Sequence, residues 1–271
     1  MLQAARIFSI YFLWLTVVVR FAAAQTGSVP GARELPRQAR PISEVVVPIP
    51  SEVFGALDKF SNSNWKLVQL DGLAHAKPRG DQTQIALLLG VLIGEGFVAV
   101  EARDAAEVKE VGSAVLTFAR GLGVERTAMR RSRSIVELAD KNDWSAVRKE
   151  WDEVLPDVQQ GMKQLQSEKL SQLVSLGGWL RGARALTALI LQQYSAETAE
   201  LLRQPVLLDR FENQLGKMDA NGSVSKMQSG IRKMRVLVAT PGEPISKKSV
   251  RDLAGLCDEL LETIEGRGAN R

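Results

Sequence analysis

Residues 85–100 contain a single ionisable side chain, Glu95, in an otherwise apolar run. A helix that is apolar on every side has no face to offer water and has to be enclosed. Membrane crossing takes about 20 such residues, so this shorter run is expected in the core of a folded domain. The positions one turn from Glu95 are Val91, Leu92, Val98 and Ala99, none of which can neutralise a carboxylate. A buried charge without a partner is strongly destabilising. The partner must therefore come from elsewhere in the chain.

A second apolar segment, residues 173–191, carries only Arg181 and Arg184 as charges. Glu95 is expected to meet one of these two arginines across a helix–helix contact. Both segments also hold glycines four residues apart, Gly90 with Gly94 and Gly178 with Gly182. Glycine inside a helix costs about 1 kcal/mol relative to alanine. Close approach of two backbones is a reason to accept that cost. The two segments are expected to form the central layer and to cross through these four glycines.

The remaining sequence is helical in pattern. Asp81 with Gln84, and Asp104 with Glu107, have the spacing of capping boxes. Gly121 and Gly123 stop one helix, and a further one is expected over residues 124–140. Asp143 heads a helix with Trp144, Val147, Trp151 and Val154 on one face, and Pro156 is expected to kink or restart it. Ser195 opens a short helix, and Pro205 fits the first turn of the next. Asn221-Gly222 reads as a turn before a helix over residues 227–239. Ser246 caps a last helix with Val250, Leu253, Cys257, Leu260 and Ile264 in heptad-like steps. Sustained alternation of apolar and polar residues is missing. The fold class expected is all-α, a multi-helix, bundle-like globular domain over residues 51–271.

The beginning of the chain reads differently. Arg6 precedes an apolar run over residues 7–19, and Ala22-Ala23-Ala24 follows before Gln25. That order is a secretory signal peptide, residues 1–24, with an exit of small residues. Arg20 ends the run too early for a span, which favours cleavage over retention as an anchor. No stable membrane span is expected after cleavage. The location implied is periplasmic or extracellular. Residues 25–50 hold Pro30, Pro36, Pro41, Pro48 and Pro50 and form a Pro-rich extended leader, in which residues 45–47 suit an extended strip. A short helix is expected over residues 51–60.

Removing Arg6 and Arg20 leaves 33 basic residues against 31 acidic ones. That balance argues against nucleic acid, which calls for a concentrated positive stripe. His75 is the only histidine and Cys257 the only cysteine. Zinc and bis-histidine haem need more ligands than these, and no cofactor or metal is expected. His75 lies beside the Lys77-Pro78-Arg79-Gly80 loop and reads as an exposed histidine, with no Gly-x-Ser-x-Gly elbow elsewhere to make it catalytic. Arg126, Arg130, Arg131 and Arg133 recur at helical spacing; they form a solvated face or meet an anion. Trp144 and Trp151 lie a heptad apart, placed for core packing or for a ligand groove.

The function expected is therefore a non-enzymatic exported binding or scaffold module, taking a protein, a peptide or an envelope component. The alternative is an enzyme or small-anion-binding protein with a buried pocket formed by Glu95, Arg181, Arg184 and Trp179.

Overall fold

The structure, a computed structural model, describes residues 63–219, 222–240 and 242–266, together with the backbone of residues 41–42 and 45–46. The signal segment, most of the leader and the helix expected over residues 51–60 lie outside the described residues. Within the leader, β1 (Pro41–Ile42) pairs antiparallel with β2 (Val45–Val46). Everything else described is helix, turn or loop.

Local chemistry starts most of the helices. Asn64 caps a 3-10 turn over Trp65–Val68, and a second 3-10 turn spans Leu73–His75. The Asp81 carboxylate accepts from the Gln84 amide at 2.9 Å and begins α1 (Gln82–Glu101). The capping box expected there is only half formed. The Gln84 side chain turns away and donates to the Ile264 carbonyl at 3.0 Å. Asp104 caps α2 (Ala105–Gly121), which ends at Leu122 and the left-handed Gly123.

Helix α3 (Glu125–Asp140) ends at Lys141 and Asn142, and Asp143 then caps α4 (Trp144–Asp152). Pro156 restarts the chain as expected. It sits in the first turn of α5 (Val154–Gln164), where its missing N–H has no intrahelical acceptor to lose. Helix α6 (Glu168–Gln192) is followed by the one-turn α7 (Ala196–Ala199), whose Ser195 and Thr198 form a reciprocal capping box.

Pro205 opens α8 (Pro205–Leu215). Helix α9 (Gly222–Val238) starts one and a half turns earlier than its apolar pattern announces. Gly222 is a poor helix former, but burial of Val224 holds the first turn in place. Ser246 caps α10 (Lys247–Glu265), and Val250, Leu253, Cys257, Leu260 and Ile264 are all buried as their spacing implies.

Helices α1 and α6 make the most extensive contact in the molecule. Every residue from Ala86 to Val100 is buried, Glu95 included. Each large apolar side chain so enclosed contributes roughly 1.5–3 kcal/mol, so this pair dominates the core. Helices α2, α4 and α5 pack against the pair, α3 covers α2, α4 and α5, and α10 and α9 build the remaining wall with α8. By length and hydropathy α1 matches a membrane span, yet its apolar surface is taken up by protein.

The glycine contact differs in detail from expectation. A Cβ on Gly90 would sit 2.0 Å from the Val174 carbonyl oxygen and 2.8 Å from the Gly178 nitrogen. One on Gly94 would meet Arg181 Cβ at 2.9 Å, and one on Gly177 would meet the Leu87 carbonyl at 2.1 Å. Gly90, Gly94 and Gly178 thus take part, and Gly177 is a further notch that the four-residue spacing does not announce; Gly182 is buried on the same helix. Such spacing brings carbonyl oxygens against Cα–H groups, a weak attraction that adds to packing.

Candidate functional site

The charged group expected to lie between the two core helices is present. The Glu95 carboxylate accepts from Arg181 Nε at 2.5 Å and from the Leu70 backbone N–H at 3.1 Å. Arg181 also donates from Nη2 to the Val68 carbonyl at 2.5 Å. Both side chains have zero exposure. The pair therefore staples the 65–75 segment onto α1 and α6. Among the described residues Arg181 Nη1 has no hydrogen-bond partner, so the guanidinium is incompletely satisfied.

The other two candidate residues lie elsewhere. Arg184 reaches outward and pairs with Asp258 on α10. Trp179 donates through Nε1 to the Gln204 side chain at 2.8 Å and packs its ring 5.6 Å from that of Phe211. A void of only about 20 Å³ lies beside Trp179, lined by Leu202, Met234 and Cys257 among others. Glu95, Arg181 and Arg184 line neither this void nor the larger cavity below.

Two further titratable groups among the described residues are displaced by their surroundings. Burial pushes the Cys257 thiol up to about 12, so the thiolate needed for nucleophilic chemistry is suppressed. Burial, and then the nearby Glu95, Glu110 and Asp104 carboxylates, raise the Glu107 carboxyl above its ordinary value, while His75 acts in the opposite sense. The His75 side chain is 76% exposed, with Nε2 4.0 Å from Glu110. No group of three or more His, Cys, Asp or Glu is placed to hold a metal ion among the described residues.

A different site emerges between α2 and α3. These antiparallel helices leave an open trough of about 350 Å³, within the range of about 300–1,000 Å³ typical of ligand pockets. Val108, Val115, Leu116, Ile135, Val136 and Val154 supply apolar walls. The Lys109–Asp140 ion pair bridges the two helices at one end, and Arg120 pairs with Glu125 across the turn at the other.

Trp151 sets the floor. Its Nε1 donates to the Ile93 carbonyl at 3.0 Å, and one edge of the indole lies where a Cβ on Gly96 would be, 1.7 Å from Cζ2. The opposite edge faces α2, where Gly112 leaves the space above it empty. A Cβ on Gly112 would find only Trp151 Cζ3, at 4.0 Å. Of the two tryptophans a heptad apart, Trp151 is a core residue that also lines the trough, and Trp144 is half-buried against the core. Gly112 passed unnoticed in the sequence because nothing there distinguishes a glycine beside open space from one pressed against a neighbour.

The arginines of α3 divide into two sets. Arg130 and Arg131 turn to Asp157, and Arg131 also binds Glu150, at 3.0 Å. Arg133 lies at the trough mouth with Ser132 and Glu137, and Arg126 lies two turns away on the same outward face. Neither Arg126 nor Arg133 has an acidic partner within 4.0 Å among the described residues. The chain matches no protein-family model, no curated protein and no solved structure.

Proposed function

We propose that this protein is an exported, non-enzymatic helical binding module that holds an apolar part of its partner in the trough between α2 and α3. The observation that carries this reading is Gly112. It sits in the interior of α2, costs about 1 kcal/mol relative to alanine, and has no packing neighbour that forbids a side chain. Gly90 and Gly177 meet backbone, Gly96 meets the Trp151 ring and Gly94 meets the root of the Arg181 side chain, each too close for a Cβ. Gly255 shares the openness of Gly112, but it faces solvent rather than a concavity.

The enclosed Glu95–Arg181 pair supports the same conclusion from the other side. It lies where no substrate reaches it, and its hydrogen bonds are spent on the 65–75 segment. Export rests on the signal-like order of residues 1–24. A protein, a peptide or an envelope component remains the partner class.

A neutral apolar dye, N-phenyl-1-naphthylamine, tests the trough directly. Wild-type protein is expected to bind it with enhanced fluorescence, and Gly112→Leu to abolish binding while keeping the native melting temperature or raising it. Equal dye binding by the variant would remove the trough from the account.

A further inference from the structure

The exposed face of α3 is polarised along its length. Its exposed charges are Arg126, Arg130 and Arg133 in the first half and Glu137 and Asp140 in the second. The helix dipole favours the opposite order, acids near the N-terminus and bases near the C-terminus, so α3 itself gains nothing from this one. The charges that line the trough, Lys109, Arg133, Glu137 and Asp140, balance. Lys109 and Asp140 hold each other. Arg133 and Glu137, about one turn apart, belong to no ion pair among the described residues.

Such a surface is complementary to itself. A second copy turned end over end about the midpoint of Arg133 and Glu137 sets each of these residues against the other, twice over, and sets Arg130 opposite Asp140. Two-fold contacts of this kind use the same patch on both partners. A partner of uniform charge would instead meet repulsion over half of the face. The other exposed side chains of α3, Met129 and Val136, are apolar. Gly112 lies at the same level. Ion pairs set Lys109 beside Asp140 and Arg120 beside Glu125, so Gly112 falls opposite residues 133–137 of the antiparallel α3. The two-fold axis at that level passes where α2 has no side chain, leaving room for α2 of the second copy. We infer that the partner is a second copy of this chain, with α3 antiparallel to α3 and α2 to α2, so that the two apolar troughs close over each other.

The second copy rests on the trough reading, and sedimentation equilibrium of the full chain separates the two. Wild-type protein is expected to pass from monomer to dimer as its concentration rises, with less N-phenyl-1-naphthylamine bound per chain as the dimer forms. Arg133→Glu and Glu137→Arg each set like charges against one another, and each should weaken the dimer at least about tenfold. Mixed in equal amounts, one variant presents two carboxylates and the other two guanidinium groups. The mixture should pair as a heterodimer at least as tightly as the wild type. A wild-type protein that stays monomeric yet binds the dye overturns the second copy and leaves the trough standing. One that neither dimerises nor binds the dye overturns both. A dimer unmoved by either variant, or variants that do not recover on mixing, overturns the proposed contact. Arg133 and Glu137 are exposed, so both variants fold, and their melting temperatures check this.

Discussion

At the residue scale the decisive group is Glu95. A carboxylate at zero exposure is tolerated because Arg181 Nε and the Leu70 N–H both reach it. Removing one partner leaves the other charge buried and uncompensated, which typically costs about 3–5 kcal/mol, a large share of the roughly 5–15 kcal/mol that holds a domain folded. Glu95→Gln is expected to lower the melting temperature sharply, because the amide keeps the Leu70 contact but abandons the Arg181 charge. The double variant Glu95→Leu/Arg181→Leu should recover part of that loss, because neither charge is then left buried alone. It will not recover all of it, since the Val68 carbonyl and the Leu70 N–H lose their partners, at about 1–3 kcal/mol for each buried group left unsatisfied. Thermal unfolding of the three proteins checks this. A Glu95→Gln protein as stable as wild type would show that the pair does not hold the core together.

At the scale of elements, the α1–α6 crossing is governed by what glycine omits. A methyl group on Gly90 would have to occupy space 2.0 Å from a backbone oxygen, and backbone cannot step aside as a flexible side chain can. Gly90→Ala is therefore expected to destabilise by more than about 2 kcal/mol through forced separation of the helices. Gly112→Ala has 4.0 Å to its nearest neighbour, and it should stabilise by up to about 1 kcal/mol from helix propensity alone. Denaturant midpoints of the two variants, moving in opposite directions, check the assignment. These two glycines look alike in the sequence, each a glycine inside a helical run. Only tertiary placement separates a glycine that admits a backbone from one that leaves a space.

The whole molecule shows where sequence was sufficient. Caps at Asp81, Asp104, Asp143, Ser195 and Ser246 were legible because a side chain and its amide lie within four residues. The Glu95–Arg181 meeting was legible because an apolar helix leaves a charge no alternative. The part that Gly177 takes in the crossing was not. Spacing within one helix does not determine which face its neighbour presents. Gln84 bonding to Ile264, 180 positions away, and the trough assembled from α2, α3 and Trp151 were hidden for the same reason.

The central claim is that α1 and α6 form the interior around which everything else is laid. Native-state hydrogen exchange measured by mass spectrometry tests it most directly. Amides in residues 86–100 and 174–190 should exchange last and only through global unfolding, well after the 65–75 segment and the outer face of α3. Exchange of residues 86–100 as early as those outer segments would contradict the account.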